Sequence, residues 1–283
     1  MALAPDQRWL IALDIDGTLV HDDGYLSPRV AAEVKRVQDL GHLVVVATGR
    51  SAVNAIGVTK EIGLLDGKLI ASNGAVTVKL NPAHPKGFET EEVITFDPTE
   101  VLTKLINSLP DAHFAVEDAQ GVYKFHKHFP DDALGDENHE TPLEELMNHP
   151  VSRIVVLSPE QETEEFVDTV ASLGLSSVSY AIGYSAWLDI APLGVTKASA
   201  LEVVRSHNNI RPDQIITVGD GRNDISMFEW AKAGGGLAFA MGQGPEEVHQ
   251  AASFVTDAVE DDGVASVLSG FEGILFTRSF GLN

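Results

Sequence analysis

Two carboxylates, Asp14 and Asp16, follow the short apolar run Leu10–Leu13 and are separated by a single residue. Gly17 and Thr18 then turn the chain. The apolar run predicts a buried strand of a parallel sheet, and an open parallel sheet places its ligands at the carboxyl ends of its strands. Two carboxylates this close are costly to desolvate unless a cation or a shared proton joins them. The pair therefore predicts a metal site, and the alternative is a solvated turn that contains two acids.

Three later segments favour the metal site over the solvated turn. A second apolar run, Leu43–Ala47, ends in Thr48-Gly49-Arg50. A lone lysine, Lys197, stands at the start of a helical segment. A further apolar run over 215–218 ends in Gly219-Asp220-Gly221-Arg222-Asn223-Asp224. Each segment carries its own set of polar groups, and their order along the chain is more informative than any one of them.

The elements between these segments predict a parallel α/β sheet. Ser27 before Pro28 is typical of a helix N-terminus, and a stripe of apolar residues at helical spacing continues to Gly41. A strand, a helix and a second strand in this order predict a right-handed parallel crossover. A helix over 51–63 and a third strand over 68–71 follow, and that strand ends in Ser72-Asn73-Gly74.

The regular alternation of strands and helices is interrupted in the middle of the chain. Prolines at 82, 85 and 98 and a mixed order of strand-like and helical stretches predict an inserted α+β module. The predicted fold is α/β: a Rossmann-like, doubly wound parallel sheet formed by residues 1–81 and 188–283, with a cap domain over 82–187. A closing cap would exclude water and contact the leaving group of a substrate.

Composition excludes several classes of function. The chain has 283 residues, a formal net charge of -23 and no cysteine. Without a Lys/Arg tract, a nucleic acid or an anionic membrane is not expected as a partner, and thiolate chemistry is impossible. No segment approaches about 18 uninterrupted apolar residues, and the N-terminus lacks a signal-peptide pattern, so we expect a soluble cytoplasmic protein. The one basic cluster, Lys124 to His128, is either a solvated face or a contact for a second anionic group.

The four ordered motifs resemble those of the haloacid dehalogenase superfamily of aspartate-nucleophile phosphatases. The Gly-Asp-Gly-x-Asn-Asp form of the last motif and the position of the insert are similar to the Cof-type branch, subfamily IIB, which has a large α/β cap. The resemblance covers nearly the whole chain. It implies a Mg²⁺-dependent phosphomonoesterase that hydrolyses small phosphorylated metabolites, such as sugar phosphates, through an aspartyl-phosphate intermediate.

The resemblance also implies roles for individual residues. Asp14 is the expected nucleophile, Asp16 the general acid and base, and Thr48 and Lys197 hold the phosphoryl oxygens. Mg²⁺ suits an all-oxygen site, and the expected ligands are the side chains of Asp14 and Asp220 and the backbone carbonyl of Asp16, with Asp224 as a direct or indirect ligand. The expected substrate contacts are Gly17, Gly49, Arg50, Asn73 and Asn223.

Two other functions remain open at this point. A phosphomutase or phosphotransferase would pass the phosphoryl group from the aspartate to a sugar instead of to water. A non-catalytic regulator that binds sugar phosphates could be built on a similar sheet. The sequence does not fix the physiological substrate, and the protein is expected to be a monomer or a homodimer.

Overall fold

The computed structural model describes residues 7–130, 133–135, 137–183 and 185–270. The ends of the predicted core, 1–6 and 271–283, lie outside the described residues, as does the N-terminal segment used for the localisation prediction. In the described ranges, no helix combines the length and the apolar character that crossing a membrane requires.

The first half of the core alternates strands and helices as predicted as far as its third strand, and two further strands follow. Its elements in chain order are β1 (Leu10–Leu13), α1 (Pro28–Asp39), β2 (Leu43–Ala47), α2 (Ala52–Glu61), β3 (Gly67–Ala71), β4 (Val76–Leu80) and β5 (Phe88–Val93). Helix α1 begins at the predicted position because the Ser27 hydroxyl caps it and Pro28 occupies its first turn.

The inserted module follows and has a sheet of its own. Its elements are α3 (Thr99–Ser108), β6 (His113–Asp118), β7 (Tyr123–Phe125), β8 (Asn138–Glu140), β9 (Val151–Leu157), α4 (Thr163–Ser172), β10 (Val178–Ile182) and β11 (Trp187–Pro192). The strand order is β10-β11-β9-β6-β7-β8. The apolar faces of α3 and α4 pack on this sheet, which gives the cap a separate hydrophobic core.

The second half of the core returns to the first sheet. Its elements are α5 (Lys197–His207), β12 (Ile215–Gly219), α6 (Ile225–Ala233), β13 (Leu237–Ala240), α7 (Glu246–Ala251), β14 (Phe254–Val255) and α8 (Gly263–Ser269). In the described chain the sheet has the order β14-β13-β12-β1-β2-β3-β4-β5, and its strands from β14 to β3 are parallel. The predicted α/β fold is therefore confirmed.

Helices cover both faces of this sheet. Alternate residues of β1 and β2 point to opposite sides, so Ile11 and Val44 join α1, α2 and α8 in one apolar cluster. Leu10 and Val45 face α5, α6 and α7 in the other. A strand buried on both faces reads as a continuous apolar run, and this is why the core strands were recognisable from sequence.

Sheet membership differs from the predicted division at 82 and 187. Strand β5 pairs antiparallel with β4 at the edge of the core sheet, whereas β11 lies between β9 and β10 in the cap sheet. If each strand is assigned to the sheet with which it pairs, the insert spans residues 94 to 192. Strand β5 escaped recognition because it is an edge strand with four exposed residues among its six, so it lacks an apolar run.

Candidate active site

Three buried carboxylates meet at the carboxyl ends of neighbouring strands. Asp14 follows β1 and Asp220 follows β12, and these strands pair in parallel with Leu13 beside Val218. Asp224 ends the single turn that comes after Asp220. One carboxylate oxygen from each aspartate lies within 4.8 Å of the others. The structure thus brings together the first and last predicted motifs, which are more than 200 residues apart in sequence.

Lys197 reaches this cluster from the first turn of α5. The Thr196 side chain caps that helix and accepts a hydrogen bond from the Ser199 backbone. The Lys197 side chain is fully buried, and its Nζ donates to Oδ1 of Asp14 and to Oδ1 of Asp224, both at 2.6 Å. Burial alone would lower the pKa of Lys197, but these two carboxylates raise it, so the lysine is charged.

The cluster has too little positive charge to balance its acids. Burial raises the pKa of Asp14 well above its usual value, the nearby charges of Asp224 and Asp220 add to this, and Lys197 opposes it. Three ionised carboxylates with one ammonium carry a net charge of -2. A divalent cation would cancel that charge, and carboxylate oxygens are the donors that hard cations such as Mg²⁺ or Ca²⁺ prefer. The residues present therefore fit a divalent metal site.

Asp224 also organises the loop that carries Asp220. Its Oδ2 accepts hydrogen bonds from the backbone nitrogens of Asp220 at 3.0 Å and Gly221 at 2.9 Å. Its other oxygen binds Lys197. Both oxygens are thus engaged with protein donors, so Asp224 positions the lysine and the loop whether or not it also contacts a metal.

Gly17 allows the first and last motifs to approach each other closely. Its φ is +69°, and a Cβ at this position would lie 2.3 Å from Oδ2 of Asp220. Only glycine combines this backbone conformation with the absence of a side chain. The neighbouring Thr18, which the sequence analysis did not assign to the site, donates from its hydroxyl to Oδ1 of Asp220 at 3.3 Å.

Asp16 lies outside the buried cluster. Its side chain is 61% exposed and forms an ion pair with Arg50. Nε of Arg50 donates to Oδ1 of Asp16 at 3.1 Å and to Oδ2 at 3.0 Å. Arg50 had been predicted as a substrate contact. It does line the cavity described below, but its guanidinium is engaged with Asp16.

The remaining predicted residues gather at the ends of β2 and β3. Thr48 is buried, and its hydroxyl accepts a hydrogen bond from the Arg50 backbone nitrogen at 3.1 Å. Asn73 adopts a left-handed conformation with φ of 53°, and its Oδ1 accepts from Nδ2 of Asn223 at 3.1 Å. A Cβ on Gly49 would touch the amide groups of both asparagines. These side chains form one polar rim beside the carboxylate cluster.

A cavity of about 470 Å³ separates this rim from the cap. On the core side it is lined by Asp14, Asp16, Gly49, Arg50, Asn54, Asp220, Gly221, Arg222 and Asn223. The inserted module lines the opposite wall with Ala133, Arg153, Ala181, Ile182, Gly183, Trp187 and Asp189.

Arg153 and Asp189 are the charged residues of the cap wall, and sequence reasoning missed both. They lie on the adjacent strands β9 and β11, where Asp189 is opposite Val155, so Arg153 is its diagonal neighbour. Nε of Arg153 donates to Oδ1 of Asp189 at 2.8 Å, and Nη1 donates to the Tyr123 hydroxyl at 2.8 Å. Their 36-residue separation in sequence carried no local signal for this pair.

A buried polar network joins the cap to the core behind this pair. The Tyr123 hydroxyl donates to Oε2 of Glu117 at 3.4 Å, and Oγ of Ser72 donates to the same oxygen at 2.5 Å. Ser72 is at the tip of β3, whereas Glu117 is on cap strand β6. Burial raises the pKa of Glu117 although Ser72 and Arg153 act in the opposite direction. The network joins the cap to the tip of β3 through the hydrogen bond from Ser72 to Glu117.

The chain is similar to one family of hydrolases and to individual phosphatases. The family model described as haloacid dehalogenase-like hydrolase matches residues 11–268. A 5-amino-6-(5-phospho-D-ribitylamino)uracil phosphatase of Bacillus subtilis is 25% identical over 278 residues, covering 93% of this chain and 97% of the relative. A phosphoglycolate phosphatase of Natronomonas pharaonis is 27% identical over 261 residues, covering 91% and 95%.

A solved structure has the same architecture. The HAD subclass IIB sugar phosphatase BT4131 superposes with a TM-score of 0.77 at 22% identity, covering 97% of this chain and 100% of that one. This likeness supports the fold, including the inserted cap.

Proposed function

Because this chain belongs to the family of haloacid dehalogenase-like hydrolases and is a phosphatase, we propose that it is a Mg²⁺-dependent phosphomonoesterase. Its substrates are small phosphorylated metabolites, and the reaction passes through an aspartyl-phosphate on Asp14. The observation that carries the proposal is the buried cluster of Asp14, Asp220 and Asp224, in which Lys197 Nζ binds Asp14 and Asp224 and from which Asp14 and Asp220 line the cavity beneath the cap.

The first step joins Asp14 to phosphorus. A carboxylate oxygen of Asp14 attacks, the bond from phosphorus to the leaving oxygen breaks, and Asp16 gives that oxygen a proton. Lys197 supplies positive charge beside the nucleophile, and the proposal assigns the Thr48 hydroxyl and the Asn223 amide to the other phosphoryl oxygens. In the second step Asp16 takes a proton from water, which attacks phosphorus and releases phosphate from Asp14.

Arg50 must release Asp16 for this cycle to run. The Arg50 guanidinium donates to both carboxylate oxygens of Asp16, whereas the first step needs one of these oxygens to face the leaving oxygen. Since Arg50 also lines the cavity, we propose that it moves to the incoming phosphoryl group and frees the acid.

The cation site is assigned to the same acids. Asp14, Asp220 and the backbone carbonyl of Asp16 are the proposed Mg²⁺ ligands, and Asp224 holds the site in shape. When bound, Mg²⁺ would neutralise the charge that otherwise repels a phosphate dianion from a carboxylate nucleophile.

Phosphate release from a panel of phosphomonoesters tests the proposal. We expect release in Mg²⁺, none in EDTA and none from Asp14→Asn in either condition. An Asp14→Asn protein that remains folded and retains wild-type turnover would refute the nucleophile assignment.

Phosphoryl transfer to a sugar is the second candidate within the same chemistry. Intact Asp16 activates a hydroxyl group as readily as it activates water. Product analysis with a sugar acceptor distinguishes the two, because a transferase forms a new phosphate ester and little free phosphate. The non-catalytic regulator considered from sequence is not retained, since the named relatives are phosphatases.

A further inference from the structure

Arg222 lies in the loop that carries two carboxylates of the buried cluster. It stands between Asp220 and Asp224, at the position that the last motif leaves open, and the sequence analysis gave it no role. The loop is a single tight turn, in which the backbone nitrogen of Asp224 donates to the Gly221 carbonyl at 3.0 Å. Because the turn is so short, a displacement of Arg222 also displaces the carboxylates on either side of it.

The Arg222 side chain reaches two different parts of the molecule. On the core side, Nε donates to Oε1 of Glu247, in the first turn of α7, at 2.7 Å. On the cap side, Nη1 donates to the carbonyl of Gly183, directly after β10, at 3.0 Å. A guanidinium is planar and holds its donors in a fixed fork, so the ion pair with Glu247 fixes the direction in which Nη1 points. Arg222 therefore bridges the core and the cap.

Gly183 lies at the tip of the β10–β11 hairpin of the cap. Its backbone nitrogen donates to the Trp187 carbonyl at 2.9 Å and closes the hairpin. Ile182 and Trp187, on the two sides of the tip, line the cavity between the cap and the core. The hydrogen bond from Arg222 to the Gly183 carbonyl thus sets how closely the hairpin lies to the loop that carries the last motif.

This contact is far from the point where the chain leaves the cap. Strand β11 extends from Trp187 to Pro192, and five residue steps of about 3.3 Å place its hairpin end roughly 17 Å from that point. Ser72, which also donates to the cap, lies three residues before Ala75. The Ala75 carbonyl accepts from the backbone nitrogen of Ile94 at 2.8 Å, where the chain enters the cap. A contact at the far end of the hairpin resists its displacement more strongly than one beside the connection to the core.

We propose that Arg222 is a positioning residue, anchored by Glu247, that couples the cap hairpin to the loop of Asp220 and Asp224. When the loop is ordered, Arg222 holds the Gly183 carbonyl and the hairpin is seated. Coupling between two sites is reciprocal, so whatever orders one segment also stabilises the other. A divalent cation at the cluster would relieve the repulsion among its carboxylates and order the loop, and the hairpin should then be seated more firmly. The part of this coupling in turnover, to keep the cavity closed while the cation is bound, rests on the proposed function.

Hydrogen exchange followed by mass spectrometry tests the coupling in the whole chain. The amides of 178–192 report on the hairpin and those of 219–224 report on the loop, each in Mg²⁺ and in EDTA. In the wild type we expect Mg²⁺ to slow exchange in both segments.

The variant Arg222→Gln should separate the two responses. In Mg²⁺, exchange in its hairpin should be about tenfold or more faster than in the wild type, as expected for the loss of a hydrogen bond from a charged group. Mg²⁺ should slow exchange only in its loop. A variant hairpin that exchanges at the wild-type rate, or that responds to Mg²⁺ as the wild type does, would overturn the inference.

Two further variants test how Arg222 is held. Glu247→Gln should also speed exchange in the hairpin, and the double variant should be no faster than Arg222→Gln alone, because Glu247 acts through Arg222. Additive effects would contradict this anchoring role. Arg222→Lys keeps the charge but loses the fork, so its hairpin should exchange at a rate between those of the wild type and Arg222→Gln.

The matched control is Arg29→Gln, which breaks an exposed ion pair with Asp262 in the core. Exchange in the hairpin should be unchanged in this variant. An equal rise in the control would trace the effect to a general loss of stability and overturn the role of Arg222.

Failure of the inference is distinguishable from failure of the proposed function, since exchange is measured without substrate. Slower exchange of the loop in Mg²⁺ with an unresponsive wild-type hairpin rejects the coupling alone. No effect of Mg²⁺ on either segment rejects the proposed cation site and the coupling with it. If Arg222→Gln does not fold, the wild-type response and Glu247→Gln remain a complete test.

Discussion

The replacement of Lys197 by methionine probes the electrostatic core of the site. Lys197→Met keeps a long side chain but removes the ammonium that binds Asp14 and Asp224 at 2.6 Å in a fully buried position. Removing one partner of a buried pair costs about 3 to 5 kcal/mol, because the remaining charges are left uncompensated. We expect this loss of unfolding free energy in EDTA.

The loss should depend on pH and on metal. The pKa of Asp14 is raised in the fold, so the folded state binds its proton more tightly than the unfolded state and stability falls as pH rises from the ordinary value of 3.8 through the folded value. Lys197 lowers the pKa of Asp14, so its removal raises that pKa further. The loss of unfolding free energy in Lys197→Met should therefore be larger at pH 8 than at pH 5. Saturating Mg²⁺ should restore several kcal/mol, since a ligand at about 1,000 times its Kd adds about 4 kcal/mol.

Urea denaturation with and without Mg²⁺ measures these values. The control is Lys35→Met, which breaks an exposed pair with Asp39 and should cost less than about 1 kcal/mol. In the presence of Mg²⁺, phosphate release by Lys197→Met should fall at least about 100-fold, as expected for the loss of a group that stabilises the transition state. Equal stability of the two variants in EDTA, with full activity of Lys197→Met, would refute the account of this cluster.

Three further predictions concern close approach, pH and cap attachment. Gly17→Ala should weaken Mg²⁺ binding, measured by titration calorimetry, because its Cβ would meet the carboxylate of Asp220. Burial, with nearby arginines, lowers the pKa of His42 from 6.5 to about 4. In saturating Mg²⁺ the free energy of unfolding should therefore fall by up to about 3 kcal/mol as the pH drops from 6.5 to 4, and this fall should be smaller in His42→Gln. Ser72→Ala should cost about 1 to 3 kcal/mol in urea denaturation, because buried Glu117 loses the shorter of the two hydrogen bonds that Ser72 and Tyr123 donate to it.

The core of the site could be predicted from sequence because its parts follow from local patterns. Continuous apolar runs identify buried parallel strands, and the polar residues after them must lie at one edge of the sheet. This placed Asp14, Lys197 and Asp220 in one cluster, as the structure has them. The helix cap at Ser27 was recognisable for the same reason, since it depends on a few adjacent residues.

The cap wall could not be predicted because it depends on strand pairing. Arg153 meets Asp189 only through the antiparallel register of β9 and β11, which no local pattern specifies. The pairing of Arg50 with Asp16 is likewise a contact between loops after different strands. The predicted division assigned edge strand β5 to the cap, because its exposed glutamates leave it without the apolar run that identifies a strand of the core sheet.

The central claim is that Asp14 becomes phosphorylated during turnover. It is tested by mixing the enzyme with a substrate that carries a labelled phosphoryl group, quenching in acid during turnover, and mapping the labelled peptide. The account predicts label on the peptide that contains Asp14 and none in Asp14→Asn. Label on a different residue, or turnover without any labelled peptide, would contradict it.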